Sequence, residues 1–211
     1  EEADRLELSL DIIERVVSDP SLKGWEGFGI VVQAYQKRTP YTIDYLADLA
    51  RRIGHRLQVR LVKGAYWDAE IKRAQIDGLP GYPVFTRKQN TDVSYLACAR
   101  RLFGHSDVLY PMFATHNAAT IAAVKQIAQG RTYEHQKLHG MGDDLYAEVV
   151  PADRLDVPCR VYAPVGSHED LLPYLVRRLL ENGANSSFVN RITDEDVSID
   201  DLIRDPVEAV S

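Results

Sequence analysis

The chain has 211 residues, 45% of them hydrophobic and 27% charged, with a formal net charge of -6. That length suffices for a domain with a buried core, and the acidic balance provides no basic field to gather nucleic acid. No run of about 18 apolar residues is present to span a membrane as a helix, and the acidic start EEADRLELSLDIIERV lacks the basic region and apolar run of a signal peptide.

In chain order, residues 2–18 carry Leu6, Leu8, Leu10, Ile12, Ile13, Val16 and Val17 at mostly helical spacing. The run WEGFGIVVQAYQ (25–36) is short, apolar and rich in β-branched residues, as a strand buried on both faces requires. PYTIDYLADLARRIG (40–54) reads as a helix with proline at its start and Gly54 at its end. LQVRLVKGAYW (57–67) reads as a strand, and 68–78 as a short helix running into the turn cluster DGLPGYP. A helix is expected over 91–104, with Thr91 or Asp92 as N-cap, then a strand over 107–117 and a helix over 118–130. A strand over 132–142, a short helix over 143–150, a strand over 159–166 and a helix over 168–183 follow, with one more helix within IDDLIRDPVEAV. Cys98 in a helical pattern and Cys159 at a strand start make neither a disulfide framework nor a zinc site; they read as buried reduced thiols in a cytosolic compartment.

One helix followed by five strand–helix repeats implies a parallel sheet covered by helices. No GxGxxG follows any strand, which counts against a dinucleotide-binding sheet. The expected fold is therefore α/β, a (β/α)8 TIM-type barrel. With only five strands and a helix first, residues 1–211 are read as its C-terminal portion, lacking about three βα units on the N-terminal side.

Chemistry in such a barrel collects at the C-terminal ends of the strands. Here those ends carry Gln33, Tyr35, Arg60, Lys63, Thr115, His116, Asn117, Leu138, His139 and Tyr162. Arg60, flanked by Val59, Leu61 and Val62, is costly to bury without an anionic partner: a phosphate, a flavin edge, or a barrel carboxylate in an ordinary salt bridge. Arg177 and Arg178 lie side by side in an apolar helix. Successive helical residues diverge by about 100°, so the two cannot share one solvated stripe. A planar fork of donors suits a carboxylate. Glu181, three and four residues on, can pair with either arginine, and NGANSSF supplies small polar groups suited to a ribose or pyrophosphate. Tyr66, Trp67 and Tyr162 can cover a planar ring or simply pack a core. No metal-ligand spacing is found, and no metal is expected.

The strings QAYQKR (33–38), RLVKGAYWDAEIKRAQ (60–75), GYPVFTRK (81–88), TDVSYLACA (91–99), FATHNA (113–118), LHGMG (138–142) and RVYAPVGSHEDLLPYLVRRLLENGANSSFVNR (160–191) resemble the proline dehydrogenase domain of bacterial bifunctional proline utilization proteins. The resemblance covers nearly the whole chain. It implies an FAD-dependent barrel that oxidises L-proline to Δ1-pyrroline-5-carboxylate on the route to glutamate, by hydride transfer from proline C5 to flavin N5, with electrons passing to a membrane quinone. It implies that Arg177 and Arg178 hold the proline carboxylate and that Tyr162 packs on the substrate ring. Leu61, Ala65, Tyr66 and Leu138 would line the same pocket. Arg60 would lie near N5, steadying negative charge on the reduced flavin, and Gln33, Lys63, Gly64, Trp67, Thr86, Thr115, His116, Asn117, Glu181 and Phe188 would contact FAD. The resemblance further implies a cytoplasmic protein, peripheral at the inner face of the cell membrane when reduced, that reaches the membrane through parts outside these residues; homo-oligomerisation stays open. A lysine and an aspartate on early strands, the N-terminal modules and the aldehyde dehydrogenase domain of such proteins have no counterpart in these residues. Two other readings stand beside this one: a non-catalytic piece of such a barrel, and a TIM-barrel lyase or aldolase using Lys63 as a Schiff-base amine.

Overall fold

A computed structural model describes residues 2–183 and 198–210, except for the side chains of Arg177 and residues 179–183. Helix α1 (Leu6–Val17) leads, through a 3-10 turn at Pro20–Leu22, into strand β1 (Gly29–Gln33). Then come α2 (Thr39–Ile53), β2 (Leu57–Val62), α3 (Trp67–Ile76), α4 (Lys88–Gly104), β3 (Leu109–Ala114) and α5 (Ala118–Ala128). The described chain continues through β4 (Glu134–Leu138), α6 (Asp143–Ala147), β5 (Cys159–Tyr162), α7 (His168–Gly183) and α8 (Ile199–Ile203).

The strands form one sheet in the order β1-β2-β3-β4-β5, every neighbour parallel. An order that follows the sequence has no switch point, unlike a doubly wound sheet. It is the arrangement of consecutive units in a TIM-type barrel.

The two faces of the sheet differ because strand side chains alternate. In β2 the residues Leu57, Val59 and Leu61 are at most 1% exposed, whereas Gln58, Arg60 and Val62 are only half-buried. The apolar face packs with Ile43, Leu46 and Leu49 of α2 and with Tyr95, Leu102 and Phe103 of α4 in one core. Burying each such side chain stabilises the fold by about 1.5–3 kcal/mol. The opposite face of the sheet is the inner wall, and it carries the polar residues.

The elements fall where periodicity put them, with corrected ends. Gly54 ends α2 in the left-handed region at φ 74, as expected. The strands are shorter than their apolar runs: β1 stops at Gln33 and β2 at Val62, leaving Lys63–Tyr66 as a rim loop. Helix α4 begins at Lys88 with Arg87 as N-cap, so neither Thr91 nor Asp92 caps it. Thr91 is buried inside the helix, and the Asp92 carboxylate is engaged by two lysines instead.

Candidate active site

Register fixes which side chains share the inner wall. Arg60 lies opposite Met112, and Met112 opposite Glu134; Gln136 lies opposite Arg160, and Leu138 opposite Tyr162. Glu134 is 6% exposed and takes the Arg160 guanidinium in a two-pronged pair, Nε at 2.9 Å and NH2 at 3.0 Å. The Gln136 amide donates to the same carboxylate at 2.9 Å and contacts the Met112 sulfur at 3.1 Å. The barrel carboxylate that could have paired with Arg60 is thus committed to Arg160.

Among the described residues no carboxylate lies within ion-pair distance of Arg60, and its buried Nε has no hydrogen-bond partner. Its guanidinium sits 5.4 Å from the centre of the Tyr162 ring. Burial pushes the Arg60 pKa down, opposed by the ring hydroxyls nearby and reinforced by Arg178. An arginine remains charged through such a shift, so the inner wall presents a cation in want of an anion.

The rim loops gather most of the other expected residues. Gln33, at the end of β1, accepts the Ala65 N–H on its side-chain oxygen at 3.1 Å, binding two rim loops together. Gly64 has φ 147, and a Cβ there would lie 2.4 Å from the Tyr35 ring, so the position admits only glycine. Lys63 is paired with Asp92, which also takes Lys88 at 2.8 Å. Burial is the larger effect and holds the Lys63 pKa below its ordinary value, against the pull of Asp92. Tyr66 and Trp67 are half-exposed, and the Trp67 indole donates to the Phe85 carbonyl at 2.8 Å; Thr86 next to it is exposed.

After β3, Thr115 and Asn117 build a turn. The Thr115 hydroxyl accepts the Asn117 N–H at 3.1 Å, and the Asn117 side chain caps α5 by accepting from Thr120 N at 3.0 Å. His116 accepts the Leu138 N–H on Nε2 at 3.1 Å, which leaves Nδ1 as the protonated nitrogen of the neutral ring. Burial, and then the Lys137 and Arg178 charges, lower its pKa, so the ring is a neutral Nδ1–H donor at pH 7. Tyr146 ties the ends of β3 and β4 together by donating to the Thr115 carbonyl at 2.7 Å.

Helix α7 brings the last group. The Arg178 guanidinium lies 5.0 Å from the centre of the Tyr174 ring, whose centroid is 6.3 Å from that of Tyr162. Arg60, Tyr162, Tyr174 and Arg178 therefore form one aromatic–cation cluster over the inner wall. Tyr174 escaped the sequence reading, although its position four residues before Arg178 on one helix face was a usable signal. The side chains of Arg177 and Glu181, and Phe188 entirely, lie outside the described residues. Leu61 requires a correction: it is fully buried among the helices, on the face opposite Arg60, and does not line the inner wall. A strand residue next to an inward one must point outward. Among the described residues no group of three or more His, Cys, Asp or Glu is placed to hold a metal, and no helix is long and apolar enough to cross a membrane.

Comparison with known proteins gives the family. Residues 1–191 match the family model described as proline dehydrogenase. The chain belongs to the proline dehydrogenase family. It is 62% identical to the bifunctional protein PutA of Klebsiella aerogenes and 63% identical to that of Rhizobium meliloti, over its whole length in each case. It spans only 16% and 17% of those two proteins. A crystal structure of Bradyrhizobium japonicum proline utilization A superposes with a TM-score of 0.94 at 58% identity, covering all of this chain and 22% of that one.

Proposed function

We propose that this chain supplies the later strands of an FAD-dependent proline dehydrogenase barrel, which oxidises L-proline to Δ1-pyrroline-5-carboxylate. The observation that carries the reading is Arg60 on the inner wall beside Tyr162, without an ion-pair partner among the described residues, in a chain of this family. FAD fits the donor set: an orphaned buried guanidinium N–H, a neutral His116 whose Nδ1–H is left as a donor, and rim backbone kept open by glycine at position 64. When bound, FAD would supply the hydride acceptor at its N5 and pass the electrons on to a membrane quinone.

The chain's own residues would do the rest. Arg178, with Arg177 beside it in sequence, would grip the substrate carboxylate, a bidentate contact that fixes the orientation of the ring. Tyr162 and Tyr174 would pack against that ring and keep water from it. Positive charge from Arg60 and Arg178 lowers the pKa of a nearby amine, so the substrate nitrogen would lose its proton before the carbon beside it is oxidised. Arg60 would then stabilise the negative charge that appears at the acceptor. Gln33, Lys63, Gly64, Ala65, Tyr66, Trp67, Thr86, Thr115, His116, Asn117, Leu138, Glu181 and Phe188 complete the proposed cofactor and substrate contacts. In the cell such an enzyme would be cytoplasmic and peripheral at the inner face of the membrane when reduced.

Anaerobic visible absorbance with and without L-proline tests the reading. Flavin bands that copurify and bleach on adding proline are the expected result. A folded protein that takes up no FAD even on reconstitution would overturn the flavin site for this chain.

A further inference from the structure

We propose that Arg160 is a positioning residue: by holding Glu134, it keeps Arg60 unpaired and therefore available to the reacting group above it. The inference rests on the proposed flavin site, and its test distinguishes the two.

Of the five strands, only β4 carries an acidic residue, Glu134. Arg60, Met112 and Glu134 stand in one row of the register on three adjacent strands. Two strand spacings separate Arg60 from Glu134, roughly 10 Å between backbones, which the two long side chains together can bridge over Met112. A carboxylate buried to 6% exposure must find a cation. Three cations lie near it: Arg56, over the Tyr110 ring and bonded to the Ser106 and Leu109 carbonyls, Arg60, and Arg160, which takes both carboxylate oxygens. The Gln136 amide fixes the carboxylate from the third side. Without Arg160, Glu134 would turn to Arg60 and cancel the charge that faces Tyr162.

The pair therefore sets the charge balance around Glu134: Arg160 neutralises the carboxylate, and the positive charge of Arg60 is left facing Tyr162 instead of being shared.

The test uses the full chain loaded with FAD, and its readout is the equilibrium between oxidised and reduced flavin against a reference dye. In R160Q the reduced-to-oxidised ratio at a fixed dye potential should fall by about tenfold, the order of effect of a unit charge across roughly 10 Å at an effective dielectric near 20, or about 30 mV for two electrons. R160K, which keeps the cation, should stay near the wild-type value. E134Q should raise the ratio, because it leaves two unpaired cations. The double variant E134Q/R160Q, which removes both charges, should return to the wild-type value. An unchanged ratio in R160Q, or a double variant as low as R160Q, overturns the proposal. If R160Q does not fold, E134Q and the double variant decide: an unchanged ratio in E134Q, or a double variant displaced from wild type, overturns it. Wild-type protein that binds no FAD would instead count against the flavin site itself.

Discussion

Gly64→Ala is the sharpest perturbation of the rim. The backbone there has φ 147, a region that L-residues rarely occupy, and the new Cβ would meet Tyr35 Cγ and Cδ2 at 2.4 Å. The ring cannot swing away freely. Tyr35 is 2% exposed, its N–H donates to the Lys63 carbonyl at 2.7 Å, and its own carbonyl accepts from Phe85 N at 2.8 Å. The strained backbone should cost about 1–3 kcal/mol and the overpacking about another 1–3 kcal/mol. A total near 4 kcal/mol corresponds to a fall in Tm on the order of 10 °C for a domain of this size. Urea unfolding followed by circular dichroism measures it, in wild type and in a Tyr35→Ala background. Removing the ring should abolish the overpacking part and leave the backbone part, so Gly64→Ala should cost about 1–3 kcal/mol less there. A loss below about 0.5 kcal/mol in wild type, or the same loss in both backgrounds, would show that Tyr35 does not demand a glycine.

Two further outcomes follow from charges in the core and the inner wall. Arg60→Met removes a cation that has no ion-pair partner among the described residues, so stability should change by less than about 1 kcal/mol, while proline-driven flavin bleaching should slow by about 100-fold; a destabilisation of 3 kcal/mol or more in chemical unfolding would reveal a structural pairing instead. His135 is fully buried, and burial lowers its pKa to about 4 despite a bond to the Phe113 carbonyl. Its unfolded value is near 6.5, so between these pH values the unfolded chain binds a proton that the folded chain refuses, and stability falls as pH drops through that window by about 3 kcal/mol. In His135→Leu, unfolding free energies measured at pH 7 and pH 4.5 should differ by correspondingly less; an unchanged difference refutes the assignment.

Periodicity alone placed all five strands, because a parallel strand between helices must be apolar on its helix-facing side and its residues alternate. It misjudged the strand ends for a physical reason. Apolar runs such as LQVRLVKGAYW continue past the last ladder hydrogen bond, and only the backbone break at Gly64 ends the strand. Asp92 looked like an N-cap because cap residues and ion-pair partners are the same residue types; Lys63, 29 positions earlier, decided between them. Arg60 was legible as an anomaly, a charge in an apolar strand, but its lack of a partner was not. That depended on Glu134 having been taken by Arg160, a relation between residues 26 apart on neighbouring strands. Leu61, next to Arg60 on the same strand, points to the helices because strand side chains alternate, and the resemblance that implied a pocket role for it carries no such constraint.

The inner wall is divided between two kinds of polar chemistry. Around β4, Glu134, Gln136, Met112 and Arg160 satisfy one another, as buried polar groups must if the sheet is to be stable. On β2, in the same row as Met112 and Glu134, Arg60 keeps an orphaned N–H beside the Tyr162 ring, and Arg178 lies on α7 against Tyr174. An unsatisfied buried donor costs stability, and at Arg60 a bound anion would recover that cost. The boundary between the two regions lies at Met112, the one apolar side chain between Arg60 and Glu134 in their shared row. A polar residue there would let the Glu134 network reach Arg60. The separation of the satisfied cluster from the unsatisfied cation therefore depends on one thioether as much as on the charges it keeps apart.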